Sequence, residues 1–131
     1  MEFRVEHLGL PARDPVALKD WYVRVLGAKF VFNDGLIPPS FFVRMPGGVM
    51  FEIYQATASL PQTTDNKLAG WRHLALRVDS LDAARVELER RGVKFTAPET
   101  VAVGNGRVLY FADGEGNLVH LVERTPDSTL R

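Results

Sequence analysis

From Leu18 onward, the apolar residues Leu18, Trp21, Tyr22, Val25 and Leu26 recur at i, i+3, i+4, i+7 and i+8, the spacing of one buried face of an α-helix. Asp14-Pro15 supplies an N-cap followed by proline at the first helical position, and Gly27 stands where a helix C-cap belongs. Residues 3–10 ahead of this helix are β-prone. Three more short β-prone runs follow it, at 29–32, 41–45 and 49–54, parted by the turn signals Asn33-Asp34-Gly35, Pro38-Pro39 and Pro46-Gly47-Gly48. The predicted order is β-α-β-β-β.

A polar stretch, residues 55–70, connects this unit to a second that repeats it. Residues 71–78 read as a strand. Asp79 or Ser80 caps a helix that turns Leu81, Ala84 and Leu88 inward and stops at Gly92. Strands are predicted at 93–96, 107–112 and 117–123, with Asn105-Gly106 and Asp113-Gly114-Glu115-Gly116 as turns. The repetition is visible in the residues. His7-Leu8-Gly9-Leu10 matches His73-Leu74-Ala75-Leu76, Gly27-Ala28-Lys29-Phe30 matches Gly92-Val93-Lys94-Phe95, and Phe51-Glu52-Ile53 matches Val119-His120-Leu121. The offsets are 66 (7 to 73), 65 (27 to 92) and 68 (52 to 120), so one register runs through the whole unit. The chain therefore reads as a single domain, residues 1–131, made of module 1 (about 3–55), a linker (about 56–70) and module 2 (about 71–124).

Composition narrows the function. Sixteen Lys and Arg balance sixteen Asp and Glu, so the formal charge is zero, and the basic footprint of a nucleic-acid binder or a polybasic membrane reader is missing. Hydrophobic residues make up 46% of the chain, enough for a globular core. No apolar run approaches the roughly 18 residues of a membrane span, and the charged N-terminus is unlike a signal peptide, so a cytoplasmic location is expected. There is no cysteine, which excludes disulfides, thiolate metal sites and cysteine nucleophiles. Any metal must bind through His, Asp or Glu, and the chain has three histidines.

Strand parity places those histidines. Alternate residues of a strand face opposite sides. Leu8 and Leu10, with Leu74 and Leu76, suit a helix-facing surface, so His7 and His73 point the other way. Phe51 with Ile53, and Val119 with Leu121, fill the same helix-facing role on the last strand of each half, which leaves Glu52 and His120 on the histidine face. If the halves pair about a pseudo-twofold axis, His7, Glu52, His73 and His120 converge. A divalent cation is the natural partner for such a set, since burying these groups unpaired is costly. Three imidazoles and one carboxylate suit Zn, Ni, Co, Fe, Mn or Cu rather than Ca or Mg. Tyr54 shares the parity of Glu52, and Arg77 that of His73, making both candidate substrate contacts, with Arg77 suited to a carboxylate. Trp21 and Tyr22 are expected in the core, and Glu123 at a solvated strand end.

The His7-Leu8-Gly9-Leu10 opening, Asp20-Trp21-Tyr22 with Leu26-Gly27, Gly70-Trp71-Arg72-His73 and the closing run from Asp113 to Glu123 resemble the vicinal oxygen chelate superfamily, which includes glyoxalase I, extradiol dioxygenases and the fosfomycin and bleomycin resistance proteins. The resemblance spans nearly the whole chain. It implies an α+β fold in which two paired βαβββ modules form a curved mixed sheet around a central metal-binding cleft. It also implies a homodimer, with the ligands drawn from one chain or from two. The implied activity is that of a metal-dependent lyase or isomerase of the glyoxalase type, acting on a small oxygen-rich substrate through an enediolate-like oxyanion, with Glu52 as ligand and general base. Two alternatives stay open: an Fe(II)-dependent ring-cleaving dioxygenase using His7, His73 and Glu52, and a non-catalytic ligand- or antibiotic-binding protein. The sequence departs from the glyoxalase pattern at His120, where a glutamate is usual.

Overall fold

The computed structural model describes residues 1–59 and 63–130. Leu60, Pro61 and Gln62, inside the predicted connector, and Arg131 lie outside the described residues. The chain divides into two compact units, Met1–Pro61 and Gln62–Arg131.

The first unit runs β1 (His7–Ala12), α1 (Pro15–Leu26), β2 (Lys29–Asn33), β3 (Phe41–Arg44) and β4 (Met50–Gln55). Its four-stranded sheet has the order β1-β4-β3-β2, with β1 parallel to β4 and the other neighbours antiparallel. The parallel pair is possible because α1 makes the crossover. Asp14 caps α1 by accepting from the backbone N–H of Ala17 at 3.0 Å, and Gly27 ends it in the left-handed conformation, φ 71°. Leu18, Tyr22 and Val25 of α1 are buried with Phe41, Val43, Phe51 and Ile53 of the sheet. Tyr22 meets Phe51 edge-on at 5.5 Å between ring centroids. Trp21 is only half-buried, stacked edge-on against Tyr22 at the margin of this core.

The second unit repeats the order with β5 (His73–Arg77), α2 (Leu81–Arg90), β6 (Thr100–Val101), β7 (Gly106–Ala112) and β8 (Leu118–Arg124). Its four-stranded sheet has the order β5-β8-β7-β6, again with one parallel pair, β5 and β8. Ser80 is the N-cap of α2, accepting from Ala83 at 3.2 Å. Leu81 and Leu88 are buried with Leu109, Phe111, Val119 and Leu121. The turn into β7 admits only glycine at position 106, because a Cβ there would lie 2.2 Å from the carbonyl oxygen of Glu123. The fold is thus α+β, two mixed sheets each with one helix. Among the described residues no helix is long and apolar enough to cross a membrane.

Four expectations need correction. The first strand opens at His7 rather than at residue 3, because its partner β4 begins at Met50, opposite His7, and Phe3 and Val5 are left exposed. Residues 93–96 form no strand. Val93 instead closes the end of α2 by donating to the carbonyl of Leu88 at 2.9 Å, and Phe95 packs edge-on against Phe111. Pairing begins only past Pro98, which has no N–H for a ladder, and lasts the two residues of β6. β5 starts at His73 rather than at Trp71, which is 92% exposed. The reason lies on the neighbouring strand: Asn117 is spent on the turn, donating through its backbone and its side chain to Asp113 at 2.9 and 2.8 Å, so the ladder opens at Leu118 opposite His73. Glu123 is no solvated strand end. Its Oε2 accepts from the backbone N–H of Leu81 at 2.6 Å and from Arg107 at 2.9 Å, which adds a carboxylate to the N-terminus of α2 where the dipole favours one.

Candidate functional site

In the first unit, Phe51 and Ile53 point into the core, and Glu52 between them faces the other side of the sheet, half-buried. It pairs with Gly9 of β1 and Phe42 of β3. His7, two residues before Gly9, shares this face. Its Nε2 lies 3.7 Å from Glu52 Oε2, its ring meets Phe42 edge-on at 5.2 Å, and its Nδ1 donates to Glu6 Oε1 at 2.9 Å. Tyr54 is on the same face as parity predicts, with its ring over Gly9. A Cβ at Gly9 would meet the Tyr54 hydroxyl at 3.2 Å, so the missing side chain makes room for the phenol. Parity holds less well on the opposite face of β1, where Leu8 is 39% exposed.

In the second unit, His120 occupies the corresponding rung, between Ala75 of β5 and Tyr110 of β7, and is only 6% exposed. Its ring lies 4.7 Å from that of His73 and 4.8 Å from that of Tyr110. Burial pushes its pKa below the ordinary 6.5, and the hydrogen bond from Nδ1 to the Leu121 carbonyl at 3.3 Å opposes part of that shift, so the imidazole is neutral at pH 7. The Nδ1 of His73 lies 2.7 Å from Asn66 Oδ1, and the amide nitrogen of Asn66 reaches the Tyr110 hydroxyl at 3.5 Å. Arg77 shares the His73 side of β5, and its guanidinium donates to the carbonyl of Leu130. The C-terminal segment that carries Leu130 is itself fixed by Ser128, whose hydroxyl donates to Gly104 at 2.6 Å.

Each unit thus gathers two of the four predicted donors: His7 with Glu52, and His73 with His120. Among the described residues, no three His, Asp or Glu side chains are grouped so that they could hold a metal ion. Sequence reasoning missed Glu6, Phe42, Asn66 and Tyr110. The repeat carried a signal for two of them, since the 68-residue offset maps Phe42 onto Tyr110. Asn66 lies in the polar connector, where no pattern distinguishes it from its neighbours.

Two copies of a βαβββ unit, each turning a first-strand histidine and a fourth-strand donor to one face, define a duplicated α+β scaffold with polar chemistry on its sheets. The model of the Glyoxalase/Bleomycin resistance protein/Dioxygenase superfamily matches residues 4–121, and the chain belongs to this superfamily. The uncharacterised protein YaeR of Escherichia coli (strain K12) is 25% identical over 124 residues, which is 92% of this chain and 96% of that one. Among solved structures, a glyoxalase family protein from Enterococcus faecalis superposes with a TM-score of 0.77 at 20% identity, over 92% of this chain and 97% of its own. A superfamily member from Sphaerobacter thermophilus gives 0.66 at 28% identity, over 94% and 98%. The fosfomycin resistance protein FosX of Listeria monocytogenes, as a variant complexed with Mn(II) and dihydroxypropylphosphonic acid, gives 0.73 at 22% identity, over 100% and 98%.

Proposed function

We propose that the chain is a metal-dependent enzyme of the glyoxalase type, a lyase or isomerase of a small oxygen-rich substrate, in which His7, Glu52, His73 and His120 hold one divalent transition metal ion. Zn, Ni, Fe, Mn and Co suit this donor set. The observation that carries the reading is the repeated pairing: in both units a first-strand histidine lies beside the third residue of the fourth strand, His7 by Glu52 and His73 by His120. The residues fit a cation. Glu6 and the Leu121 carbonyl can only accept, so the Nδ1 atoms facing them carry the proton, and Nε2 of His7 and of His120 is left with the lone pair when the ring is neutral. A cation held there would supply Lewis-acid stabilisation of negative charge on adjacent substrate oxygens.

The chain's own residues have distinct tasks. Glu52 takes a proton from the carbon beside a substrate carbonyl, leaving an enediolate-like oxyanion, and returns it to the neighbouring atom. Tyr54, over Gly9 on the same face, offers a hydroxyl to substrate. Arg77 has further N–H donors beyond the one given to Leu130, and these suit an anionic substrate group. The dihydroxy phosphonate and Mn(II) bound to FosX support an oxygen-rich ligand and a divalent ion for this scaffold. We also infer a homodimer. Phe30 and Phe32 on β2, with Trp71, Val101 and Val103, are exposed, an apolar burden that association would relieve.

Metal analysis of tag-free protein tests the reading, with about one equivalent of transition metal expected and a rise in melting temperature on adding Zn, Ni, Mn or Fe(II). Less than about 0.2 equivalents and no thermal gain would overturn it. Anaerobic turnover of a thiohemiacetal is the expected activity. The donor composition also contains two histidines and a carboxylate, as a ring-cleaving Fe(II) dioxygenase needs, and iron-dependent oxygen uptake with a catechol would favour that second reading.

A further inference from the structure

We propose that Asn66, in the connector between the two repeats, is a positioning residue that fixes the tautomer of His73 so that Nε2 carries the lone pair. The proposal rests on the reading of His73 as a metal ligand for its purpose, though not for its geometry. All three histidines of the chain present Nδ1 to an oxygen: Glu6 Oε1 at 2.9 Å, Asn66 Oδ1 at 2.7 Å and the Leu121 carbonyl at 3.3 Å. For His7 and His120 the partner has no hydrogen to give, so Nδ1 must be the donor. Asn66 differs because an amide can accept or donate. In this structure Oδ1 is turned to His73 and the amide nitrogen to the Tyr110 hydroxyl at 3.5 Å, so one side chain bridges the two rings that flank His120.

The connector is built to hold this amide. Thr63 donates its hydroxyl to the carbonyl of Gly116 at 3.0 Å, which ties the segment to the turn before β8. Asp65 accepts from the backbone N–H of Lys67 at 3.0 Å, an Asx turn that presents Asn66 toward the sheet. Neutral imidazole in water favours a proton on Nε2, the atom a metal would need bare. A hydrogen bond from Nδ1 to a fixed oxygen reverses that preference, and such partners of metal-bound histidines typically change affinity by about 10–100-fold.

Long-range proton–nitrogen NMR spectra of the histidine rings in metal-free protein, recorded where the ring nitrogen shifts themselves show neutral imidazoles, test the proposal directly. His73 is expected with its proton on Nδ1 in the wild-type protein, to shift toward the Nε2-protonated form in Asn66→Ala, and to return in Asn66→Asp, whose carboxylate accepts but cannot donate. In calorimetric titration with Zn(II), Asn66→Ala should bind about 10–100-fold more weakly and Asn66→Asp should recover most of the loss. A wild-type His73 protonated on Nε2, or an Asn66→Ala protein with an unchanged His73 spectrum, would overturn the proposal. If the tautomer responds as expected while none of the proteins binds the cation, the positioning role stands and the metal reading fails.

Discussion

Glu52 and His120 occupy the same rung of two copies of one scaffold. Glu52 is flanked by Gly9 and Phe42, His120 by Ala75 and Tyr110, and each lies beside a first-strand histidine. The surroundings differ. Gly9 leaves space that the Tyr54 ring fills, whereas His120 is almost wholly enclosed, with Asn66 reaching in from the connector. One copy keeps a half-exposed carboxylate, and the other a buried imidazole whose burial favours the neutral form. The duplicated positions are the same, and the side chains around them set the difference.

The ends of the two helices teach the same lesson. Pro15 opens α1 and Leu81, 66 residues on, opens α2. Proline has no N–H to satisfy, whereas Leu81 has one, and Glu123 accepts it. The counterpart of Glu123 at the 68-residue offset is Gln55, whose amide instead donates to the Arg13 carbonyl at 3.1 Å. An acceptor stands where there is a donor to meet, and a donor where there is not.

The sharpest way to break the comparison is to disarm its two rungs. Glu52→Gln should keep the fold and lose about 10²–10⁴-fold in kcat if it is the base. His120→Ala should show its main defect in cation affinity, by equilibrium dialysis. Unchanged turnover in the first, or undiminished occupancy in the second, would remove the corresponding role.

Next in size are the core residues at matched repeat positions, Ile53 and Leu121, which are 0% and 2% exposed. Ile53→Ala and Leu121→Ala should each cost about 2–5 kcal/mol in urea denaturation. A loss below about 1 kcal/mol at either position would show that the two copies are not equivalent in packing.

The smallest effect concerns Glu123. The Leu81 N–H, and after it Arg107, hold its carboxyl below the ordinary value of 4.5, so the folded protein favours the ionised form. Its contribution is therefore complete above that ordinary value and is lost as pH falls through the lowered one. Urea midpoints of wild type and Glu123→Gln should differ at about pH 7 and draw together as pH falls below the ordinary carboxylate value. Curves that stay parallel would mean the carboxylate's charge does nothing for α2. The corresponding Gln55→Ala change should show no such acid dependence, since Gln55 does not titrate.

Much of this was legible in the residues. The helical stripe from Leu18 to Leu26 and the caps Asp14, Gly27 and Ser80 lie where periodicity and capping chemistry put them. The period-two alternation around Glu52 and His120 correctly predicted which side of each sheet those residues face. The 93–96 run misled because its match to residues 28–31 implied a strand, while Pro98 and the end of α2 pull that segment elsewhere. Parity also judged Glu123 rightly to lie opposite His120, but could not see that a helix N-terminus waits there.

The sequence by itself determined the elements, the duplication and the kinds of donor at each slot, because periodicity, capping and turn chemistry are local. Only the tertiary structure decided which polar groups meet: Asn66 with His73, Glu123 with Leu81, Arg77 with the Leu130 carbonyl. Those bonds form wherever folding brings a donor and an acceptor within about 3 Å, and distance along the chain leaves no periodic trace of them.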